Sequence, residues 1–322
     1  MPNPIISIII PVFNGEKFLK RCFKTINAQN YNCLDIIFID NNSTDNSYNY
    51  ILEYTQENLK SRLFKCENIG VSYARNLGLK MAKGEYVSFL DVDDEIHPEK
   101  FQILLNLLNN YPSAVMAFGS TMKIYERTKK KHFNKIPLKI GMNYSPLHIF
   151  LWIKQLQHHP HISSTLIRNK DLPSFPVNLQ YGEDIAFSIK LCMNNNIVYT
   201  EEIISTYHRH HNSAISKANI KMPAVERYLK FYKNFLLPFF IKKRNHSDFK
   251  KAFYLTELNI FNAYMILIKR EKEYHFISKL NKHKIEFGKP YKIKLRFLLF
   301  TKIPLKIAFK LFFYLNKYHV IK

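Results

Sequence analysis

The first hundred residues alternate between short apolar runs and segments whose apolar side chains recur at helical spacing. Ile5–Val12, Leu34–Ile39 and Tyr86–Leu90 are short and rich in β-branched and aromatic residues, which is typical of buried strands. Between them, residues 18–26 and 71–81 carry apolar side chains three and four positions apart. This alternation predicts βαβ units, in which crossover helices cover a mostly parallel sheet. We therefore expect an α/β fold.

The last of these strands runs directly into an acidic loop that contains Asp91, Asp93, Asp94 and Glu95. Ligands of open α/β sheets gather at the carboxyl ends of strands. Hard oxygen donors suit Mg²⁺ or Mn²⁺, which keep coordination positions open for water and substrate phosphates. The loop therefore predicts a metal site for a phosphate-bearing substrate. In the alternative interpretation, the last three carboxylates only complement the dipole of a helix that begins near Pro98.

Beyond residue 112 the strict alternation is lost. Ala114–Phe118, Thr121–Tyr125 and Ser163–Ile167 are predicted strands, and a helix is expected to start near Asp184. Arg127–Lys139 is basic and poorly patterned, which is typical of a loop. We divide residues 1–220 into a first half, 1–112, and a second half, 113–220.

Positive charge is concentrated in the last third of the chain. Residues 1–220 hold 24 Lys and Arg against 19 Asp and Glu, whereas residues 221–322 hold 24 against 6. Helical spacing continues there, and residues 287–322 contain nine basic residues and no acidic one. A basic helix with a wide apolar face is typical of a segment that lies on anionic lipid. The alternative is a solvated helix that packs on the rest of the protein.

The cysteine content and the hydropathy of the chain predict its cellular compartment. The four cysteines form no Cys-x-x-Cys pair, and we expect free thiols in a reducing compartment. The first twelve residues resemble a strand more than a signal peptide. No uncharged apolar run approaches the ~20 residues that cross a bilayer. We expect a cytoplasmic protein that is peripheral on the inner face of the membrane.

Six segments, in order, resemble the successive signatures of glycosyltransferase family 2. They are Ser7–Asn14, Ile39–Asp45, Asn68–Gly78, Gly84–Asp94, Tyr181–Asp184 and Tyr207–Ser216. The resemblance covers roughly residues 4–217. It implies a GT-A fold, which is Rossmann-like, followed in this chain by a C-terminal basic helical extension. It also implies an inverting enzyme with a nucleotide-diphosphate sugar donor.

The resemblance assigns the donor to residues at strand ends and on one helix. The implied donor-binding set is Pro11, Val12, Phe13, Asn14, Asp40, Asn41, Arg75, Asp91 and Val92. Asp40 or Asn41 would accept the N3–H of uracil, although the family often has two aspartates there. Arg75 would contact the base or the diphosphate through its fork of donors, unless it is only an exposed helix charge. Asp91 would bind the ribose hydroxyls.

The same resemblance assigns the metal and the chemistry. Asp93 is the implied ligand of Mn²⁺ or Mg²⁺, and the metal would stabilise the departing nucleoside diphosphate. His210 matches a position that can supply a further ligand, and imidazole suits Mn²⁺ better than Mg²⁺. Its alternatives are a structural role or a diphosphate contact.

Asp184 is the implied catalytic base, and Glu183 would orient it or the acceptor. A single base opposite the leaving group implies in-line displacement and inversion. In the alternative interpretation, Gly182, Glu183 and Asp184 only cap the following helix. A second histidine cluster at 158, 159 and 161 stays unassigned, because its surroundings do not choose between zinc, acceptor binding and ordinary surface.

The predicted function is transfer of a hexose or N-acetylhexosamine from a UDP-sugar to a saccharide acceptor, lipid-linked, in lipopolysaccharide, capsule or related bacterial surface polysaccharide synthesis. One alternative is a polyanion-binding protein that uses its basic helices on nucleic acid. It leaves the acidic loop unexplained and matches no nucleic-acid module, so no nucleic-acid partner is expected. The other is a nucleotidyltransferase on a related fold, which the Glu183-Asp184 motif disfavours.

The basic tail gives a first testable prediction. Deleting residues 287–322 should release the protein from anionic liposomes, since each basic residue near the surface contributes on the order of 1 kcal/mol. Co-pelleting of the full-length and shortened chains with anionic vesicles measures this. Undiminished pelleting of the shortened chain would refute the predicted anchor.

Overall fold

The computed structural model describes residues 3–133, 135–179, 181–211, 213 and 224–241, and four positions between 252 and 259. The chain divides into two compact units, Met1–Arg227 and Tyr228–Lys322. The domain boundary at residue 220 stays a prediction. The predicted membrane-binding segment 287–322 lies outside the described residues.

Strands and helices alternate in the first unit as the sequence pattern predicts. The strands are β1 (Ile6–Val12), β2 (Leu34–Asp40), β3 (Ser61–Lys65), β4 (Tyr86–Phe89), β5 (Glu95–Ile96), β6 (Ala114–Tyr125), β7 (Lys131–Phe133), β8 (Gly141–Asn143), β9 (Thr165–Arg168) and β10 (Asn196–Arg209). The α-helices are α1 (Glu16–Asn27), α2 (Ser47–Glu57), α3 (Val71–Met81), α4 (Lys100–Asn110), α5 (Leu147–Lys154) and α6 (Glu183–Cys192), followed by α7 (Ala224–Phe231) and α8 (Leu237–Ile241).

The strands of the described chain form one mixed sheet. Its main path runs β3-β2-β1-β4-β9-β6-β10-β5. The first four strands are parallel, and a long parallel ladder joins β6 to β10. Shorter antiparallel ladders attach β9, β5, β7 and β8. The mostly parallel α/β fold predicted from the sequence is therefore confirmed.

Strand β9 connects the two halves of this sheet. It pairs antiparallel with β4 on one side and with β6 on the other. Arg168, its last residue, donates hydrogen bonds to the carbonyl oxygens of Ala114 (3.0 Å) and Leu108 (2.7 Å) and to the hydroxyl of Tyr86 (3.0 Å). One side chain thus ties the end of α4 and the start of β6 to β4.

The core lies between this sheet and its covering helices. Strand β1 is buried over its whole length, as expected of an isoleucine-rich central parallel strand. Helix α3 approaches it closely at Gly78, where an added Cβ would stand 2.3 Å from Cγ2 of Ile9. A glycine is required there because no larger side chain fits between the helix and the strand.

Two local predictions and one alternative interpretation are wrong. Strands 114–118 and 121–125 form one continuous strand, because β10 pairs with them from Ala114 to Tyr125. The predicted loop Arg127–Lys139 contains β7, which pairs with β6. Glu95 does not belong to a helix start. It lies in β5, its carboxylate is 2.9 Å from Nε2 of His208, and α4 begins only at Lys100.

Within the described residues, no helix is long and apolar enough to cross a membrane.

The close approach at Gly78 gives a stability prediction. Gly78→Ala should lower stability by about 1–3 kcal/mol, because overpacking against Ile9 exceeds the gain of about 1 kcal/mol in helix propensity. Lys80→Ala, an exposed change on the same helix, is the matched control and should be nearly neutral. Thermal unfolding followed by circular dichroism measures both. Equal melting temperatures for the two variants would contradict the packing argument.

Candidate active site

The carboxyl ends of β1, β2 and β4 meet at one edge of the sheet. Val12 lies beside Asp40 in the parallel ladder of β1 and β2, and Ile9 lies beside Phe89 in that of β1 and β4. The polar residues that follow each strand are therefore neighbours. This edge is the place where open α/β sheets bind ligands.

The turn after β1 is fixed against the loop after β2. Asn14 has a positive φ of 50°, a conformation that asparagine tolerates better than most residues. Its Oδ1 accepts a hydrogen bond from the backbone N–H of Thr44 at 2.7 Å, and its own N–H donates to Oγ of Ser43 at 3.1 Å. Pro11 and Val12 are buried, whereas the side chain of Phe13 is exposed. The predicted donor-binding turn is therefore held rigidly with one aromatic side chain at the surface.

Asp40 and Asn41 are both buried but differ in their partners. The Nδ2 of Asn41 donates to the carbonyl oxygen of Asn68 at 2.6 Å, and its Oδ1 accepts from the N–H of Gly70 at 2.7 Å. This amide therefore holds the loop before α3. The Oδ1 of Asp40 is buried without a hydrogen-bond partner in the described part of the chain. Of these two residues, Asp40 is the one with a side-chain oxygen available to accept a hydrogen bond from a ligand.

Arg75 is buried at the centre of the site, with only 3% of its side chain exposed. Its Nη2 lies 2.7 Å from Oδ1 of Asp91, and its Nη1 lies 2.9 Å from Oε1 of Glu183. Burial lowers the pKa of Arg75, but the carboxylates of Asp91 and Glu183 outweigh it and raise the pKa overall. Its guanidinium packs over the ring of Phe175. The exposed-charge alternative is therefore excluded, and Arg75 joins the acidic loop to α6.

Within the acidic loop, Asp94 is buried beneath the surface. It is 1% exposed, and its Oδ2 accepts a hydrogen bond from Oγ of Ser163 at 2.8 Å. Burial, and then the charges of Asp93 and Asp91, raise the pKa of Asp94 well above its usual value. The buried Nζ of Lys100 donates to the carbonyl oxygen of Ser163 at 2.8 Å. Asp94 therefore anchors the acidic loop to Ser163, whose carbonyl oxygen is bonded in turn to Lys100 of α4.

The carboxylate of Asp93 contacts His210. Its Oδ2 is 3.0 Å from Nε2 of His210, and its backbone oxygen accepts a hydrogen bond from Arg21. The ring of His210 packs against Phe18 at a centroid distance of 4.6 Å. Both predicted metal ligands therefore lie at one point of the site.

The donor set partly defines a metal site. Within the described residues, no three His, Cys, Asp or Glu side chains are grouped so that they could hold a metal ion by themselves. The carboxylate of Asp93 and the imidazole of His210 supply two donors side by side. Mg²⁺ and Mn²⁺ commonly take only one or two protein ligands and complete their shell with water and substrate phosphates. The pair fits a metal that arrives with its nucleotide.

Glu183 and Asp184 form the first turn of α6, which follows Gly182 in the left-handed conformation (φ 80°). The Oδ2 of Asp184 is 3.2 Å from Nε2 of His159, and its Oδ1 accepts the N–H of Ile185 at 2.8 Å. Burial raises the pKa of Asp184, but the hydrogen bond and charge of His159, and then Arg75, lower it below its usual range. Burial and the charge of Asp184 raise the pKa of Glu183, opposed by Arg75. Asp184 is therefore the more readily ionised of the two.

Sequence reasoning missed two residues of the site, His159 and His161. His159 contacts Asp184, and Nδ1 of His161 is 3.7 Å from Oδ2 of Asp94. His158, between α5 and these two, hydrogen-bonds with Gln155 instead. The cluster of three histidines was itself the signal, but it carries no information about which of them points inward.

The family model of glycosyl transferase family 2 matches residues 7–172 of this chain. That match includes the strand ends described above and Arg75. The chain belongs to glycosyl transferase family 2. Membership favours the glycosyltransferase interpretation over the nucleic-acid-binding and nucleotidyltransferase alternatives.

Relatives and solved structures agree with this assignment. The chain is 26% identical over 235 residues to the uncharacterized glycosyltransferase RT0329 of Rickettsia typhi, covering 73% of this chain and 72% of the relative. Its fold is similar to that of S. aureus TarS 1–349 in complex with UDP-GlcNAc, with a TM-score of 0.58 and 20% identity. This match covers 82% of this chain and 71% of the TarS chain. The fold is also similar to that of the mannosyltransferase PcManGT from Pyrobaculum calidifontis in complex with GDP-Man and Mn²⁺, with a TM-score of 0.55 and 14% identity. This match covers 91% of this chain and 83% of PcManGT.

The double ion pair of Arg75 can be tested by stability. Arg75→Met leaves two partly buried carboxylates without their cation and should cost up to about 3–5 kcal/mol. Adding Glu183→Gln removes one of these carboxylates, so the double variant should melt at a higher temperature than Arg75→Met alone. Circular dichroism melts of the four chains measure both effects.

Arg62→Met is the matched control for this test. Arg62 pairs with Asp35 at 2.6 Å. Asp35 also accepts a hydrogen bond from Oγ of Ser7 at 2.6 Å, so its carboxylate keeps a partner when the guanidinium is removed. A loss for Arg75→Met no larger than for Arg62→Met, or simple additivity with Glu183→Gln, would contradict the central role of Arg75.

Proposed function

We propose that this protein is an inverting glycosyltransferase that moves a hexose or N-acetylhexosamine from a UDP-sugar to a saccharide acceptor. The observation that carries the proposal is the double contact of Arg75 with Asp91 and Glu183. Asp91 belongs to the proposed donor side and Glu183 precedes the proposed base, Asp184. One guanidinium therefore links the two halves of the proposed chemistry.

The proposed nucleotide pocket uses the free acceptor of Asp40. A buried carboxylate oxygen without a partner is costly unless a ligand satisfies it, and the N3–H of uracil would do so. The fixed turn at Val12 to Asn14 would line the same pocket, and Asp91, 30% exposed, would bind the ribose hydroxyls. TarS, whose fold is similar, has been crystallised with UDP-GlcNAc and with UDP, which supports this donor class.

Asp93 and His210 are the proposed holders of the metal. A divalent ion bound there would stabilise the negative charge of the departing diphosphate. A carboxylate with an imidazole suits Mn²⁺ better than Mg²⁺. The structure of PcManGT, whose fold is similar, is a complex with GDP-Man and Mn²⁺, which supports a divalent metal in this protein.

Asp184 is the proposed base. As the acceptor oxygen attacks the anomeric carbon, Asp184 takes the proton of the acceptor hydroxyl, and the bond between that carbon and the diphosphate breaks on the opposite face. This in-line geometry inverts the configuration at the anomeric carbon. Glu183, held by Arg75, fixes the turn that carries Asp184.

The acceptor is proposed to be a lipid-linked saccharide for a bacterial surface polysaccharide such as lipopolysaccharide or capsule. The strongly basic extension, with 24 basic against 6 acidic residues in 221–322, supports a peripheral position at an anionic membrane face.

The donor is tested by screening UDP- and GDP-sugars, with and without Mn²⁺, for hydrolysis or transfer. We expect turnover of at least one UDP-sugar only when the metal is present. Turnover that is confined to GDP-sugars, or unchanged by chelation, would refute the proposed donor or metal.

A matched pair of variants separates metal binding from catalysis. Asp93→Asn should weaken Mn²⁺-dependent binding of UDP by about tenfold or more, because a ligand is lost. Asp184→Asn should leave that affinity unchanged and lower the transfer rate by about 10²- to 10⁴-fold, because the base is lost. Calorimetry with UDP and Mn²⁺, beside a transfer assay, measures both. Normal metal-dependent affinity in Asp93→Asn would exclude the metal assignment.

A further inference from the structure

His159 is built into the site by two hydrogen bonds. Its Nδ1 is 2.6 Å from the carbonyl oxygen of Leu156, and its Nε2 is 3.2 Å from Oδ2 of Asp184. A carbonyl oxygen only accepts hydrogen bonds, so Nδ1 carries a hydrogen in every state. The protonation of Nε2 is therefore the variable, and it faces the proposed base directly.

We propose that His159 and Asp184 act as one proton-accepting pair, in which His159 is the positioning residue that stabilises the proton taken from the acceptor hydroxyl. The proposal rests on the proposed function, since it assumes that Asp184 is the base of sugar transfer. It assigns a role to a histidine that the sequence motifs leave unassigned.

The proton count defines which state of the pair is active. With Nε2 bare and Asp184 ionised, the pair can take one proton. When the acceptor O–H bond breaks, that proton passes to Asp184 and is then shared with Nε2 of His159. The acceptor oxygen forms its bond to the anomeric carbon, and the nucleoside diphosphate leaves with the electrons of the broken bond. Loss of the stored proton to water restores the pair.

The groups that face the pair come from several elements. Asp184 lies on α6, Lys123 on β6 and His161 on the same loop as His159. Burial lowers the pKa of His159, but the hydrogen bond and charge of Asp184 outweigh it, so the pKa is raised overall. The charge of Lys123 opposes this increase. Arg75 acts on the other partner, because its charge helps to lower the pKa of Asp184.

The sign of the pH dependence follows from these directions. Below the raised pKa of His159, the pair already holds a proton as an imidazolium and carboxylate, and it is inactive as a base. Above that pKa, Nε2 is bare and the pair is active. Transfer should therefore rise with pH, about tenfold per pH unit on the acidic side.

An aspartate alone is a poor base here. The charge of Arg75 helps to lower its pKa. General bases work best when their pKa lies near the working pH. An imidazole behind the carboxylate supplies a basic site in that range while the carboxylate contacts the substrate.

The kinetic test compares two variants, His159→Gln and His158→Gln. His158→Gln is the matched control, because the ring of His158 bonds to Gln155 and not to Asp184. Glutamine at 159 keeps a hydrogen-bond donor for Asp184 but cannot titrate. Transfer is measured from about pH 5.5 to about pH 9 with saturating UDP-sugar. His159→Gln should be about 10- to 100-fold slower at the alkaline end, and this deficit should shrink as the pH falls. His158→Gln should follow the wild type.

A deficit that is constant at every pH would show a merely structural role and overturn the proposal. An unchanged profile in His159→Gln would also overturn it. Equal UDP affinity of the variant and the wild type, measured by calorimetry with Mn²⁺, is expected, because His159 contacts the proposed base and not the proposed donor residues.

A second measurement does not depend on activity. The ring signals of His159 are assigned by their loss in His159→Gln. NMR titration of the wild-type chain should then show a pKa of His159 above the ordinary histidine value. In Asp184→Asn that pKa should fall, because the carboxylate that raises it is gone. An equal pKa in both chains would overturn the pair. Failure of the wild-type chain to use any nucleotide sugar would instead refute the proposed function, while this titration still decides the pair.

Discussion

The site depends on one buried cation with two anionic partners. Removing a guanidinium from water costs several kcal/mol, and only close, well-directed carboxylates compensate for it. Arg75 has two of them, Asp91 and Glu183, which come from different parts of the chain. Its burial therefore requires that the loop after β4 and the first turn of α6 stay together. The position of Asp184 follows from this, since it is the next residue along that turn.

Carboxylates of one small region have become chemically different because their neighbours differ. Asp94 is buried beside the charges of Asp93 and Asp91, which raises its pKa and favours the neutral acid. Asp184 lies beside His159 and near Arg75, and its pKa is lowered. Asp93 meets the buried imidazole of His210. Burial and the choice of partner thus raise the pKa of one carboxylate and lower that of another.

The sequence predicts the first half of the fold well, because central parallel strands are apolar runs with clear ends. Helix α3 begins and ends where helical spacing predicts. The second half is harder, since β10 owes its length to pairing with β6, and pairing between distant strands leaves no local pattern. The same reason explains why His159 was not assigned: its partner Asp184 is 25 residues away, and only the fold brings them together.

Strand β9 limits the motion of the two halves of the sheet relative to each other. Because it is hydrogen-bonded antiparallel to β4 on one side and to β6 on the other, the proposed nucleotide side and the proposed acceptor side share one continuous sheet. A hinge that opened the cleft between them would have to break these ladders and the three hydrogen bonds of Arg168. In the proposed function, substrate entry and product exit would therefore rely on loops at the rim of the sheet, while its strands would keep the spacing between donor and acceptor constant.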